Sequence, residues 1–427
     1  MKLIKFLILL TLLPTYIYSW ANHTLNAYPT FENFEEVSKA PKVKVESLET
    51  FLEKEKEGIA KLLEDQELYL KTNVSNYPSK PKNLKFDPSS SDLRLSFLKA
   101  LRLNPNIKLG YYIQELPGTD MKGKKLFSKT EVTFFKEDKF LDRYALTALD
   151  LGQKETALRV LATACDEPDY GSDVGLYQDN NTDFGKEYGF GIQPFGNPEY
   201  EFSSQAPFHI GFYHESTIIY TFGSFLKQTL PEYRIYQNLS LSRFAFETGH
   251  PYWGWRFLGW GLHYIQDITQ PYHARVLPGY STLKMFIINL LAIIGLDGFK
   301  NDAITRVSDR HISVENYEYA TMEKIYLQEI NEHPLIMALK DTSSDSSYGL
   351  FNFYYSRNIV ARESWEFSDE FDRLIENWKG VLKLKDVNFP LENLKRGKES
   401  EELDHSLIRL MKSFGAHSRN FVRSALR

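Results

Sequence analysis

Between Val45 and Lys71 a charged run carries Leu48, Phe51, Leu52, Ile59, Leu62 and Leu63 roughly on one helical face. A stripe of that length must be buried against other elements, so this segment commits the chain to helix packing. Further helices are expected at Leu93 to Leu103, Asp142 to Leu151, Glu155 to Ala164, Ser216 to Gln228, Trp253 to Ile268, Ser313 to Ile330 and Leu403 to Ala425. The expected fold class is mostly α. Tyr77 to Ser91 is rich in Pro, Ser and Lys and reads as a loop. Asp166 to Pro207 is a long Gly-, Asp-, Asn- and Pro-rich stretch, of a length that ordered loops rarely reach without a function. Cys165 is the only cysteine, which rules out an internal disulfide and leaves packing to hold the fold. It reads as a small buried hydrophobe.

At the N-terminus, Lys2 and Lys5 precede the apolar stretch from Phe6 to Leu13, Pro14 breaks it, and Ser19 offers a small residue for cleavage. This is the pattern of a secretory signal peptide over 1–19, with export and cleavage before Trp20. The apolar part is short of the roughly 20 residues that a membrane span needs. The run from Met285 to Leu296 is also too short, and reads either as a buried core helix or as a segment that docks on a membrane. The formal net charge is −5, and nothing in it suggests a basic groove for duplex nucleic acid.

The chemistry concentrates in Gly261-Leu-His-Tyr-Ile-Gln-Asp-Ile-Thr-Gln-Pro-Tyr-His-Ala274. His263 and Asp267 stand four apart, so a helix puts both on one face, one turn from each other. An imidazole and a carboxylate so placed can hold a divalent ion, zinc being the usual choice for mixed N/O ligands. Pro271 ends the helix and can aim His273 toward a second metal. His311 and Glu315 repeat the four-residue spacing. Either pair alone could be an ordinary surface hydrogen bond. Together they gather five ligand-type side chains in a chain with only ten histidines.

His263-x3-Asp267-x3-Pro271-x-His273, followed by His311-x3-Glu315, resembles the bacterial zinc-dependent phospholipases C and the related single-strand-specific zinc nucleases. The resemblance implies a mature chain that begins with Trp, whose α-amino group and carbonyl bind zinc beside a nearby His. Trp20 and His23 stand where that requires, directly after the expected cleavage site. The resemblance further implies a middle His and an Asp that acts on the attacking water. His209 fits the first, with His214 as the alternative. Asp169 fits the second, with Asp173 as the alternative.

The implied arrangement is three zinc ions. His209, His263 and Asp267 would hold one. Asp267 would bridge to a second, held by Trp20 and His23. His273, His311 and Glu315 would hold the third. The implied activity is metal-assisted hydrolysis of a phosphodiester, either a phospholipid head group or single-stranded nucleic acid, with transient contact to a membrane surface. The location is secreted or periplasmic, and the fold is one multi-helix domain over 20–427.

The match covers Trp20 to His23 and, unevenly, Asp166 to Glu315. The 30–140 segment has no counterpart in the pattern and reads as a large N-terminal insertion. Tyr252, Trp253, Trp255 and Trp260 could shape a substrate pocket or simply fill the core. Glu247-x2-His250 and Glu402-x2-His405 fit the spacing of di-iron bundles. A non-catalytic exported protein is a further alternative.

Overall fold

The computed structural model describes residues 20, 22–136, 141–196, 201–378 and 398–427. The expected signal peptide at 1–19 lies outside them. The first part of the chain forms helices α1 (His23–Glu32), α2 (Glu35–Ser38), α3 (Leu48–Asn73), α4 (Leu93–Leu101), α5 (Ala157–Asp166), α6 (Asp183–Tyr188), α7 (Ala206–His209) and α8 (Thr217–Phe222). The second part forms α9 (Pro231–Glu247), α10 (Pro251–Asp267), α11 (Pro271–Ala274), α12 (Thr282–Ile293), α13 (Gly298–Leu327), α14 (Pro334–Lys340), α15 (Arg362–Asn377) and α16 (Lys398–Ala425). Two short antiparallel ribbons, β1 (Val43–Lys44) with β4 (Lys154–Glu155) and β2 (Tyr112–Gln114) with β3 (Leu146–Ala148), are the only sheet among the described residues. The fold is therefore mostly α, as expected.

Helix α10 is the axis of the molecule. Pro251 suits its first turn, where a missing N–H is harmless. Every residue from Tyr252 to Asp267 is buried. Glycines make this possible by letting neighbours approach closely. A Cβ on Gly259 would lie 2.5 Å from Ala164 Cβ of α5, and one on Gly261 would lie 2.8 Å from the Phe421 ring of α16. Tyr252, Trp253, Trp255 and Trp260 fill the core rather than a pocket. The 30–140 segment joins that core, since Phe51 of α3 lies 6.3 Å from Trp253 and 5.9 Å from Phe257 between ring centroids.

Two apolar clusters meet across the C-terminal end of α10. One collects α3, α4, α5, α9 and α10. The other collects Trp20, Leu25 and the apolar faces of α13, α14, α15 and α16. The predicted ligands sit between them.

Four local expectations are corrected. Asp142 to Leu151 is not a helix: Leu146–Ala148 pairs with Tyr112–Gln114, a partner some thirty residues away that local periodicity cannot reveal. Ser216 to Gln228 is interrupted at Gly223, where α8 ends and a short 3-10 turn begins. The helix expected at Ser313 starts earlier, at Gly298. The Asp166 to Pro207 stretch contains a helical turn of its own at Asp183–Tyr188.

Candidate metal centre

The sequence of α10 and α11 delivers three of the ligand side chains. His263 and Asp267 share a face of α10, and Gln270, whose side chain caps α11 by accepting from Tyr272 N at 2.8 Å, turns the chain so that His273 points inward. His311 and Glu315 stand one turn apart on α13, with His311 Nε2 2.6 Å from Glu315 Oε1. His23 comes from the first turn of α1, and His209 ends α7.

These side chains converge into three groups that could hold a metal ion: His23, His263 and Asp267; Asp169, His209 and His263; and His273, His311 and Glu315. Within each group the ligand atoms lie within 4.8 Å of one another. Asp267 is the hub of the first two, 2.8 Å from His209 Nδ1, 3.3 Å from His23 Nε2 and 3.3 Å from His263 Nε2. All but Asp169 are buried. The Asp169 side chain, 19% exposed, is where solvent reaches the group.

Three of the rings are held by their other nitrogen. His23 Nδ1 lies 2.8 Å from Gln266 Oε1, His263 Nδ1 2.7 Å from the Cys165 carbonyl, and His273 Nδ1 3.1 Å from the His209 carbonyl. Donation at Nδ1 leaves Nε2 as a lone pair facing the centre, the second-sphere arrangement that fixes tautomer and ring plane at metal sites. His209 is turned the other way: Nδ1 faces Asp169 at 3.7 Å while Nε2 faces Asp173 at 3.6 Å.

This separates the alternatives left open by the sequence. Asp173 is fully buried with Arg234, accepting from Nε at 2.8 Å, and its second oxygen accepts from Tyr264 O–H at 2.6 Å. It backs His209 and does not face the centre. Glu167 is likewise engaged, by Arg256 Nε at 2.9 Å and Trp260 Nε1 at 2.6 Å. Asp166 accepts from Thr24 N at 3.3 Å and from Gln114. Asp169 projects inward, 3.6 Å from His263 Nε2, and among the described residues accepts one bond, of 3.2 Å, from Gln205. His214 lies elsewhere, half-buried with Nε2 2.7 Å from the Arg357 carbonyl.

The electrostatics are those of a site short of positive charge. Burial pushes the Asp169 carboxyl up to about 7, with His209 opposing and Asp267 adding to the rise. Burial drives Glu315 well above the carboxylate range. Burial also lowers His263 far below the usual imidazole value and His273 to about 4. His209 goes the other way: burial disfavours its charge, but Asp173 and Asp267 outweigh it and hold the ring at about 10. Burial opposes the Asp267 charge too, yet the surrounding imidazoles hold its carboxyl far below normal. His273 Nε2 and Glu315 Oε2 are buried without a hydrogen-bond partner. Lone pairs facing lone pairs repel, and a cation at the centre reverses the sign. The donor set therefore fits a divalent metal, and imidazole with carboxylate is a set that zinc accepts.

Trp20 is fully buried, and its indole N–H donates to Thr269 Oγ1 at 3.1 Å, in the link between Asp267 and Pro271. This anchors the chain three residues ahead of His23. The di-iron spacings do not form a site. His250 bonds Glu46 at 2.6 Å and Glu55 at 3.3 Å, while Glu247 and His405 face solvent. Cys165 is buried with its thiol pushed up by desolvation. Sequence reasoning missed Gln266, Gln270 and the Cys165 carbonyl. Their helical neighbours pointed to the right face, but nothing local names the partner of each ring. It also missed Glu318, buried one turn past Glu315 and facing Asn22, Asn26 and His23. Comparison with protein families, with curated proteins and with solved structures returns no match.

Proposed function

We propose that the chain is an exported zinc-dependent phosphodiesterase of the phospholipase C type. One observation carries the reading. Eight side chains singled out for metal binding or catalysis from sequence spacing and resemblance fall into three groups of ligand geometry, two of which share His263. They come from five separate helices and the turn after α5, so local structure alone does not gather them.

In this reading His209, His263 and Asp267 would hold one zinc, His23 and Asp267 a second together with the amine and carbonyl of Trp20, and His273, His311 and Glu315 a third, with Asp169 kept for proton transfer. Cleavage before Trp20 would supply the free amine, which an uncleaved amide cannot offer. Bound zinc supplies Lewis acidity, polarising a phosphoryl oxygen and lowering the pKa of water. Asp169, at the solvent side, accepts the proton of the attacking water, and a carboxyl poised near neutral suits that role. Gln266, Asp173 and the Cys165 and His209 carbonyls hold the imidazole planes in place.

The test is zinc content of purified protein with its N-terminus sequenced, followed by hydrolysis of phosphatidylcholine against single-stranded DNA. The expected result is about three zinc per chain starting at Trp20, matching the three groups, with cleavage of the lipid. Preference for DNA would move the chain to the nuclease branch. Zinc near zero on folded, processed protein would sink the catalytic reading and leave an exported protein without this chemistry.

A further inference from the structure

Helix α12 buries only Met285 and Ile288. Its outer face shows Leu283 at 68% exposure, Ile287 at 47%, Leu290 at 49% and Ile294, just past its end, at 67%. These positions follow one another by four, three and four residues, so they form a single stripe. Leu296, Phe299 and, across from α8, Ile218 are also exposed and extend it. Contiguous exposed apolar area on this scale marks an interaction site rather than ordinary surface. It bears on the two readings left open for this run: the helix is seated on the fold by one edge and, among the described residues, unpartnered on the other.

We infer that α12 and the apolar trough at its base form the face by which the protein lies on a phospholipid bilayer. The exposed stripe is aliphatic and carries no hydrogen-bonding side chain, whereas protein interfaces rely on aromatic and Arg anchors with a regular supply of hydrogen bonds. The helix itself contains no acidic residue. Two lysines pair with aromatic rings at its rim: Lys284 sits over the Tyr280 ring at 4.1 Å and Lys227 over the Tyr220 ring at 4.9 Å, while the acidic Asp297 is exposed beyond the far end of the helix. Tyr and Lys at the edge of an apolar patch match the headgroup level of a membrane, where the ammonium meets lipid phosphate and the stem stays in apolar surroundings. At twelve residues α12 is too short to cross, and no described helix is long and apolar enough to do so. It lies in the plane of the interface. Val276 and Leu277, which line the trough with Phe222, Leu226 and Met285, stand three and four residues after His273 along the chain. The inference rests on the phosphodiesterase reading only in naming the bilayer lipid as substrate.

The experiment floats the purified full chain with phosphatidylcholine vesicles through a density gradient, beside the double variant Ile287→Glu/Ile294→Glu. Both side chains are exposed, so the variant folds, which circular dichroism checks. Wild type is expected to rise with the vesicles and the variant's bound fraction to fall about tenfold or more, since two charges replace buried apolar area. Hydrolysis of a short, water-soluble phosphodiester is expected to be equal in the two. Wild type that stays at the bottom, or a variant that floats as well, overturns the inference. So does a wild-type dimer that the variant breaks with no flotation of either, which assigns the face to a second copy. Flotation lost in the variant, in protein that cleaves no phosphodiester, upholds the docking face and removes the catalytic reading alone.

Discussion

Asp169 and Asp173 are four residues apart, the first the preferred match by sequence and the second its alternative, and they should respond to substitution in opposite ways. In Asp173→Asn the Arg234 guanidinium, fully buried, loses the one carboxylate it pairs with among the described residues. Its other bonds run to uncharged acceptors, namely the carbonyls of Leu101 and Arg102 at 2.8 Å each and Gln237 Oε1 at 2.7 Å. Leaving one member of a buried pair uncompensated costs about 3–5 kcal/mol. Asp169→Asn breaks no ion pair with Arg or Lys. It keeps an acceptor for the 3.2 Å bond from Gln205 and removes a carboxyl that burial already disfavours as a charge. Its expected stability change is under about 1 kcal/mol.

Activity should divide the other way. Removing a general base lowers turnover about 10²–10⁴-fold, so Asp169→Asn should fold normally and hydrolyse poorly. Urea unfolding of both variants, paired with hydrolysis of a chromogenic phosphodiester, reads both quantities. Asp173→Asn with wild-type stability and abolished turnover would refute the assignment of Asp173 as the residue that backs His209 and neutralises Arg234. An Asp169→Asn protein that loses several kcal/mol would refute its placement as an inward-facing, lightly bonded carboxylate.

Three further outcomes follow from the same geometry. Glu315→Gln should lower zinc content by about one per chain, leaving the groups around Asp267 loaded; elemental analysis showing all the zinc lost, or none, would contradict the separation of the third group. Gly259→Ala puts a methyl 2.5 Å from Ala164 Cβ and 2.7 Å from the Leu161 carbonyl, so it should cost about 1–3 kcal/mol. By moving α5 it should also loosen the Cys165 carbonyl from His263 and weaken zinc affinity about 10–100-fold, measured by competition with a chelator. Burial raises the Glu318 carboxyl to about 8, against its neighbours Asn26 and Asn22. A carboxyl raised on folding contributes stability that is intact at low pH and lost as pH rises through its folded value, so Glu318→Gln should melt higher than wild type at pH 9 and like it at pH 5. Equal curves at both would sink that account.

What could be read from the sequence follows the range of each interaction. His263 with Asp267, and His311 with Glu315, are set by helical geometry within one turn, and Pro271 marks its own break. These needed no tertiary knowledge, and both pairs fall in the ligand groups. The choice between Asp169 and Asp173 depended on Arg234, about sixty residues further on, and β3 depended on Tyr112–Gln114. Helix α9 escaped notice for a related reason. It buries Glu232, Arg234, Gln237 and Asn238 beside its apolar residues, so no clean stripe appears. Three of those polar groups satisfy something distant, Glu232 by pairing with Arg357. Arg234 neutralises Asp173 and, through it, backs His209, while Gln237 Nε2 reaches the Leu101 carbonyl at 3.2 Å. The misread helix and the undecided aspartate are thus one problem. A metal centre announces its ligands in short spacings, but the residues that aim those ligands must be buried polar groups on neighbouring helices. Burying them erases the amphipathic pattern by which such helices are found.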